Sequence, residues 1–150
     1  RRRAPRMPER RILLVEDDEP LRSIVARHLR ARGWVVAEAT SAEEATVALA
    51  TGPRPSLVLL DINLPGETGW DLLRGGALGG PEAPPVVVVT ATTIGPRHLR
   101  EFGVAGYLPK PFALQTLLEM CDRFLAPPAP AADDPAGADP APEPTLEDGG

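Results

Sequence analysis

One stretch of the sequence decides the fold: Leu57-Val58-Leu59-Leu60-Asp61-Ile62-Asn63-Leu64-Pro65-Gly66. Four consecutive apolar residues without alternation indicate a strand that is buried on both faces, which is typical of a parallel sheet. The apolar run stops at the carboxylate of Asp61, and a Pro-Gly turn follows. Because open α/β folds bind ligands at the carboxyl ends of their strands, Asp61 is the first candidate for a reactive group.

The remainder of the chain alternates short apolar runs with helical patterns. Four further strands are predicted at residues 12–15, 34–39, 86–89 and 106–108, and a helical pattern follows each of the five strands. Strand–helix units joined by right-handed crossovers form a doubly wound fold. We therefore predict an α/β protein with a doubly wound five-stranded parallel sheet and five flanking helices.

The first helix shows this pattern most clearly. Pro20 is typical of a first helical turn, and Gly33 is typical of the position after a helix end. Apolar positions recur at helical spacing and are predicted to face the core as one stripe: Leu21, Ile24, Val25, His28 and Leu29. His28 is interpreted as a packed residue at the edge of this stripe rather than as a metal ligand.

The net charge of -5 conceals three unlike segments. Residues 1–11 carry six arginines and one glutamate, whereas residues 127–150 carry six acids and no base. We predict a basic N-terminal extension at 1–10, one globular domain at 11–126 and a disordered tail from 127 onward. The tail is rich in alanine, proline and acids and lacks the apolar surface that a core requires.

Composition excludes several functional classes. Residues 12–126 hold ten basic and fourteen acidic side chains, and nucleic-acid binding requires a basic face. No apolar stretch approaches the ~20 residues that span a bilayer, and no signal peptide is present. Cys121 is the only cysteine, which excludes an internal disulfide and a thiolate metal cluster. A cytoplasmic protein that binds neither nucleic acid nor membrane is predicted.

Chemically reactive side chains follow the strands of the predicted sheet. Glu16 and Asp17 follow the first strand, Asp61 the third, Thr90 the fourth and Lys110 the fifth. Three neighbouring carboxylates repel one another unless a cation joins them, and Mg²⁺ prefers oxygen ligands of this kind. A carboxylate nucleophile with Mg²⁺, a hydroxyl and an ammonium group indicates phosphoryl transfer to Asp61.

With these motifs in place, the chain resembles the receiver domain of two-component response regulators. The matching segments are residues 12–18, 59–66, 89–91 and 103–112, in the order and near the spacing of that family. Each motif alone is weak, whereas the four together are specific. The resemblance covers roughly residues 10–126.

The resemblance implies a role for each acid of the site. Asp61 would be the phosphoacceptor and would also be a ligand of Mg²⁺. Asp17 would bind Mg²⁺ directly, with Mn²⁺ as a possible substitute, and Glu16 would bind it through water. Asn63 would contribute its backbone carbonyl to the same ion.

The resemblance also implies the switch residues. Thr90 would be the hydroxyl that moves to the phosphoryl group, and Tyr107 would be the aromatic ring that turns inward behind it. Lys110 would pair with the carboxylate and then with the phosphoryl group, and a cis peptide bond would join it to Pro111. Composition agrees with this role, because Lys110 is the only lysine among sixteen basic residues and a compact ammonium suits a crowded phosphoryl site.

The implied function is a phosphorylation-controlled signalling switch without its own output domain, not an enzyme. A sensor histidine kinase or a phosphotransfer protein would donate the phosphoryl group, and a downstream protein would read the result. The protein would be a monomer or a phosphorylation-dependent dimer. The chain departs from the family pattern in two places. The segment from Thr90 to Gly103 is about two residues shorter than usual and belongs to the face that the family uses for signalling and dimerisation. A glycine-rich exit follows the third helix, away from the site.

Two alternatives remain beside the switch. A phosphatase of the haloacid-dehalogenase kind also uses a strand-end aspartate and Mg²⁺, but it resembles a pattern with a second aspartate two positions later, where this chain has Asn63. The other alternative is an unphosphorylated pseudo-receiver that acts only as a protein-binding module. Asp61 and its neighbours match the expected site residues, which disfavours this alternative.

Overall fold

The computed structural model describes residues 10–125. Five strands alternate with five helices: β1 (Arg11–Val15), α1 (Glu19–Ala31), β2 (Val35–Ala39), α2 (Ala42–Thr51), β3 (Leu57–Leu60), α3 (Gly69–Arg74), β4 (Val86–Thr90), α4 (Pro96–Glu101), β5 (Gly106–Pro109) and α5 (Leu114–Leu125). The predicted five-stranded doubly wound fold is confirmed, and strand boundaries differ from the prediction by one residue at most. The predicted extension at 1–10 and the tail at 127–150 lie outside the described residues, apart from Arg10.

All strands are parallel, and their order in the sheet is β2-β1-β3-β4-β5. The chain first adds β2 on one side of β1 and then continues with β3 on the other side. In such sheets a crevice forms at this switch point, between the carboxyl ends of β1 and β3. In the register, Val15 pairs with Leu60 and Thr90 pairs with Pro109. The residues that follow these pairs therefore meet at one edge of the sheet.

Two apolar layers cover the sheet. Helices α1 and α5 pack on one face, where Leu29, Leu117 and Cys121 are fully buried. Helices α2 and α3 pack on the other face against the alternate residues of the same strands, with Leu60 and Val88 at its centre. Every residue of β3 and β4 is buried, as the unbroken apolar runs predict.

The predicted apolar stripe of α1 is wrong in part. Ile24 is 44% exposed, whereas Arg22 is only 9% exposed and belongs to the inward face together with Val25, Ala26 and Leu29. The inward face is therefore rotated from the predicted one. The guanidinium of Arg22 can be buried because it is hydrogen-bonded to polar groups of the sheet edge, and a paired charge avoids the large desolvation cost of an unpaired one.

Helix α4 is the most weakly anchored element within residues 10–125. It has six residues, and none of them is buried. Two kinds of contact attach it: His98 lies on Trp70 of α3 with centroids 4.9 Å apart, Phe102 contacts Trp70 at 4.6 Å, and the partly buried Leu99 packs against the core. The fourth of the predicted helices is thus present, held by ring contacts with α3 and by one apolar side chain.

Gly69 allows α3 to begin directly against the end of β3. Its backbone N–H donates to the carbonyl of Ile62 at 2.9 Å. A β-carbon at this position would lie 2.8 Å from the carbonyl oxygen of Asp61 and from the backbone of Ile62. Since both neighbours are backbone atoms, they cannot move aside as a flexible side chain would. Glycine is therefore required for the close approach beside Asp61.

We expect Gly69→Ala to destabilise the protein by about 1–3 kcal/mol, the usual cost of forcing an extra carbon into a packed site. Urea denaturation of both proteins measures this difference. Gly79→Ala is the matched control, because its β-carbon would meet only ordinary contacts at 3.6 Å and its stability should stay within about 0.5 kcal/mol of the parent. Equal stability of Gly69→Ala and the parent would contradict the steric argument.

Candidate functional site

Three carboxylates converge at the carboxyl edge of the sheet. Glu16, Asp17 and Asp61 each offer an oxygen, and these oxygens lie within 4.8 Å of one another. Glu16 and Asp61 are 4% exposed, while Asp17 is exposed. The convergence follows from the register, since Glu16 and Asp61 directly follow the paired residues Val15 and Leu60.

Lys110 supplies the positive charge of this cluster. Its Nζ donates to Glu16 Oε1 at 2.7 Å and to Asp61 Oδ2 at 3.0 Å. The backbone of Lys110 is held in place by a hydrogen bond from its N–H to the carbonyl of Thr90 at 2.9 Å. The Lys110–Pro111 peptide bond is cis, as the sequence predicts. One ammonium group thus bridges the ends of β1 and β3.

Burial and ion pairing act in opposite directions on the titration of this pair. Burial raises the pKa of Glu16 above its ordinary value, and hydrogen bonds from Lys110 and from the Asp18 amide only partly counter it. Burial disfavours the charged form of Lys110, but its hydrogen bonds to Glu16 and Asp61 prevail, so the pKa of Lys110 is raised. Lys110 is therefore charged at neutral pH, and a cation near Glu16 would favour its ionised form.

Asn63 links the loop after β3 to the end of β4. Its backbone N–H donates to Asp61 Oδ1 at 3.0 Å, which fixes the carboxylate from the side opposite Lys110. Its side-chain amide donates to Thr92 Oγ1 at 2.7 Å and to Thr90 Oγ1 at 3.3 Å. The Thr90 hydroxyl, fully buried, also accepts the backbone N–H of Thr92. The side chain of Asn63 is thus occupied by two threonines.

Tyr107 contacts the same loop from β5. Its hydroxyl donates to the backbone carbonyl of Thr92 at 2.9 Å, and its ring is half-buried. Thr92 therefore receives hydrogen bonds from Asn63 through its hydroxyl and from Tyr107 through its carbonyl. Of the two switch residues that the family resemblance implies, Thr90 contacts Asn63 directly, whereas Tyr107 is connected to Asn63 through Thr92.

Arg22 is the site neighbour that the sequence prediction missed. Its Nη1 donates to the backbone carbonyl of Glu16 at 2.9 Å, and its Nε donates to Glu38 at 3.0 Å. The available signal is its spacing, since Arg22 lies three and seven residues before Val25 and Leu29 of the apolar stripe. Apolar periodicity favours Ile24 over an arginine in that turn.

The donor set fits a hard divalent cation. The acids provide oxygen ligands, of which Asp17 is open to solvent and the other two are held by Lys110. Mg²⁺ commonly keeps several waters and binds through one or two carboxylates, which suits a cluster with one exposed acid. Within residues 10–125 this is the one group of three acids, histidines or cysteines with metal-site spacing. The predicted role of the Asn63 carbonyl stays a prediction.

The other residues considered from sequence lie away from the site. His28 Nδ1 lies 3.0 Å from the carbonyl oxygen of Ile24. Burial raises the pKa of the Cys121 thiol to about 12, so that this cysteine is a protonated core residue at neutral pH. No helix in the described part of the chain is long and apolar enough to cross a membrane.

A sequence model for the response regulator receiver domain matches residues 12–122. The chain belongs to this family. The receiver domain is 34% identical over 128 residues to the response regulator MprA of Mycolicibacterium vanbaalenii, an alignment that covers 85% of this chain and 54% of MprA. The chain therefore spans about half the length of that curated relative.

Solved receiver structures share the fold. A CheY-like receiver domain protein from Methanospirillum hungatei superposes with a TM-score of 0.72 at 27% identity, covering 79% of this chain and 94% of that chain. TrrA from Thermotoga maritima, solved in complex with Mg²⁺-BeF, has a TM-score of 0.67 at 26% identity, covering 77% and 99%. The receiver fold and the acidic cluster thus occur together here as the family predicts.

We expect Lys110→Met to destabilise the receiver at pH 7.5 by on the order of 2 kcal/mol, less than the loss of one partner from a fully buried ion pair, because 19% of the lysine side chain is exposed. Removing the ammonium leaves Glu16 and Asp61 facing each other and raises the pKa of Glu16 further. The destabilisation should therefore shrink as the pH falls and Glu16 takes up a proton.

Urea denaturation of Lys110→Met at pH 7.5 and pH 5 checks this expectation. Arg123→Met removes an exposed cation of α5 far from the cluster and serves as the control, with little effect at either pH. A destabilisation by Lys110→Met that is independent of pH would show that the repulsion between the carboxylates is not its cause.

Proposed function

We propose that Asp61 accepts a phosphoryl group in an Mg²⁺-dependent reaction and that the donor is the phosphohistidine of a sensor kinase or of a phosphotransfer protein. The observation that carries the proposal is the position of Asp61. Its Oδ2 accepts from Lys110 and its Oδ1 accepts from the backbone N–H of Asn63, and two further acids lie beside it. Receiver domains of response regulators are phosphorylation-controlled, so this placement gives the control a chemical basis.

Each residue of the site has its own role in the proposed phosphoryl transfer. An oxygen of the Asp61 carboxylate attacks phosphorus, the bond from phosphorus to the donor nitrogen breaks, and an acyl phosphate results. Glu16 and Asp17 would hold the Mg²⁺, whose chemistry here is to neutralise charge on the phosphoryl oxygens. Phosphorylation of Asp61 removes the negative charge of the carboxylate that Lys110 contacts. Lys110 is then positioned to pair with a phosphoryl oxygen instead.

The acyl phosphate is proposed to act as a switch rather than as an intermediate of turnover. The position at which a hydrolase would need a proton donor or acceptor is Asn63, whose amide has no titratable proton and is bonded to Thr90 and Thr92. When the Thr90 hydroxyl turns toward the phosphoryl group, its contact with Asn63 is lost. Because the Tyr107 hydroxyl donates to the Thr92 carbonyl, a shift of Thr92 would change the position of the tyrosine ring.

Intact mass spectrometry after incubation with a small-molecule phosphodonor and Mg²⁺ tests the transfer. We expect one phosphoryl group on the parent protein and on Glu67→Gln, a control in the same loop region, and none on Asp61→Asn. Phosphorylation of Asp61→Asn to the same extent would exclude Asp61 as the acceptor. A parent protein that gains no phosphoryl group would favour the pseudo-receiver alternative.

An open groove beside the site is the proposed docking surface for the phosphodonor protein. The groove has a volume of about 430 Å³ and lies between α1 and the loop that leads into α5. Apolar side chains line it next to Lys110, among them Ile24, Phe112 and Leu114. Since Ile24 is exposed on α1, it is available to a partner, and a protein seated here would contact Lys110, whose Nζ donates to Asp61.

We expect Ile24→Glu to slow phosphotransfer from a phosphorylated histidine phosphotransfer protein by about tenfold or more, the effect of losing an apolar contact worth roughly 1.4 kcal/mol. Phosphorylation by the small-molecule donor should be unchanged. Val47→Glu is the matched control, because Val47 is 60% exposed on α2, on the opposite face of the sheet. Equal slowing by both variants would rule out this groove as the docking surface.

A further inference from the structure

Arg22 has an unusual environment for an arginine on a surface helix. Only 10% of its side chain is exposed, and its guanidinium points toward the end of β1. Three groups face it: the backbone carbonyl of Glu16 at 2.9 Å, the carboxylate of Glu38 at 3.0 Å and the carboxylate of Glu19 at 3.7 Å. The first of these belongs to residues 16–18, the acidic loop that joins β1 to α1.

We propose that Arg22 is a positioning residue for metal binding and that it holds the Glu16–Asp17 peptide in the orientation which directs the Asp17 carboxylate to the cation. The proposal rests on the proposed function, because that function requires the cation. It concerns the backbone of the acidic loop rather than any of its side chains.

The geometry supports this role because the side chain and the backbone of Glu16 are held separately. Its carboxylate is held by Lys110 and by the Asp18 N–H. Its carbonyl, which belongs to the peptide that leads into Asp17, accepts a hydrogen bond from Arg22. Rotation of that peptide would swing the Asp17 side chain, and the hydrogen bond from Arg22 opposes this rotation.

The anchor of Arg22 is a residue of the sheet, because Glu38 belongs to β2. Glu38 of β2 accepts from Arg22 through Oε1 and pairs with Arg30 through Oε2, at 3.0 Å in both cases. The planar guanidinium can contact Glu38 and the Glu16 carbonyl at once in fixed directions, which a single ammonium group cannot reproduce. Arg22 therefore ties the acidic loop to the edge strand of the sheet.

The test is direct binding of Mn²⁺, followed by the electron paramagnetic resonance signal of the free ion, with Mg²⁺ as the competitor. We expect Arg22→Met to weaken binding about tenfold or more, the usual effect of losing a residue that orients a metal ligand. Arg22→Lys keeps the charge but not the fork and should weaken binding nearly as much.

Arg30→Met is the matched control. It removes the other arginine from Glu38 but leaves the contact with the Glu16 carbonyl, so its Mn²⁺ affinity should stay within about twofold of the parent. A general loss of stability would lower the melting temperature of Arg22→Met and of Arg30→Met alike. A positioning role changes the metal affinity of the Arg22 variants alone.

The outcomes separate the possibilities. Parent-like Mn²⁺ affinity in a folded Arg22→Met or Arg22→Lys protein would overturn the proposal, and so would equal weakening by Arg30→Met. If circular dichroism shows that neither Arg22 variant folds, the role of Arg22 is structural and the proposal is likewise overturned. A parent protein that binds no Mn²⁺ would reject the metal-dependent function itself, which is a different result from an unaffected variant.

Discussion

Two buried carboxylates at the ends of adjacent strands are the constraint on which the rest of the site depends. The parallel register of β1 and β3 brings Glu16 and Asp61 together, and burial prevents water from screening their repulsion. Lys110 bridges both acids and lowers this repulsion. The pKa of Glu16 nevertheless remains raised, first because burial disfavours its charged form and to a smaller extent because Asp61 lies beside it. The edge of the sheet thus holds three clustered acids against one ammonium group.

This excess of acidic groups links the stability of the folded domain to cation binding. A group that disfavours its own ionised state in the folded protein is stabilised when a cation arrives, so binding of Mg²⁺ and folding would reinforce each other. Natural proteins retain such unfavourable arrangements at functional sites, where the cost is compensated elsewhere. Here the compensation comes from the completely buried strands β3 and β4 and from the two apolar layers around them.

The polar contacts around Asp61 extend in two directions from the acids. On one side, Asn63 and Thr92 lead to Tyr107 and to the loop before α4, the helix with no buried residue. On the other side, Arg22 leads from the Glu16 carbonyl to the edge strand β2. The first route ends beside the helix with the least burial, whereas the second ends in the sheet. Under the proposed function, the first route would transmit the phosphorylated state to α4 and the second would hold the cation site in place.

The sequence by itself determined the order and type of the elements, since apolar runs and helical spacing report burial locally. It also identified Asp61, Glu16, Asp17, Thr90 and Lys110, because strand ends in a parallel sheet must share one edge. Only the tertiary structure decided which face of α1 is buried and that Arg22 rather than Ile24 lies inward. That choice depends on polar partners at Glu16 and Glu38, which are 6 and 16 residues away in the chain. Local periodicity cannot register a hydrogen bond to a distant backbone carbonyl, and for the same physical reason the contacts of Thr92 emerged only from the folded chain.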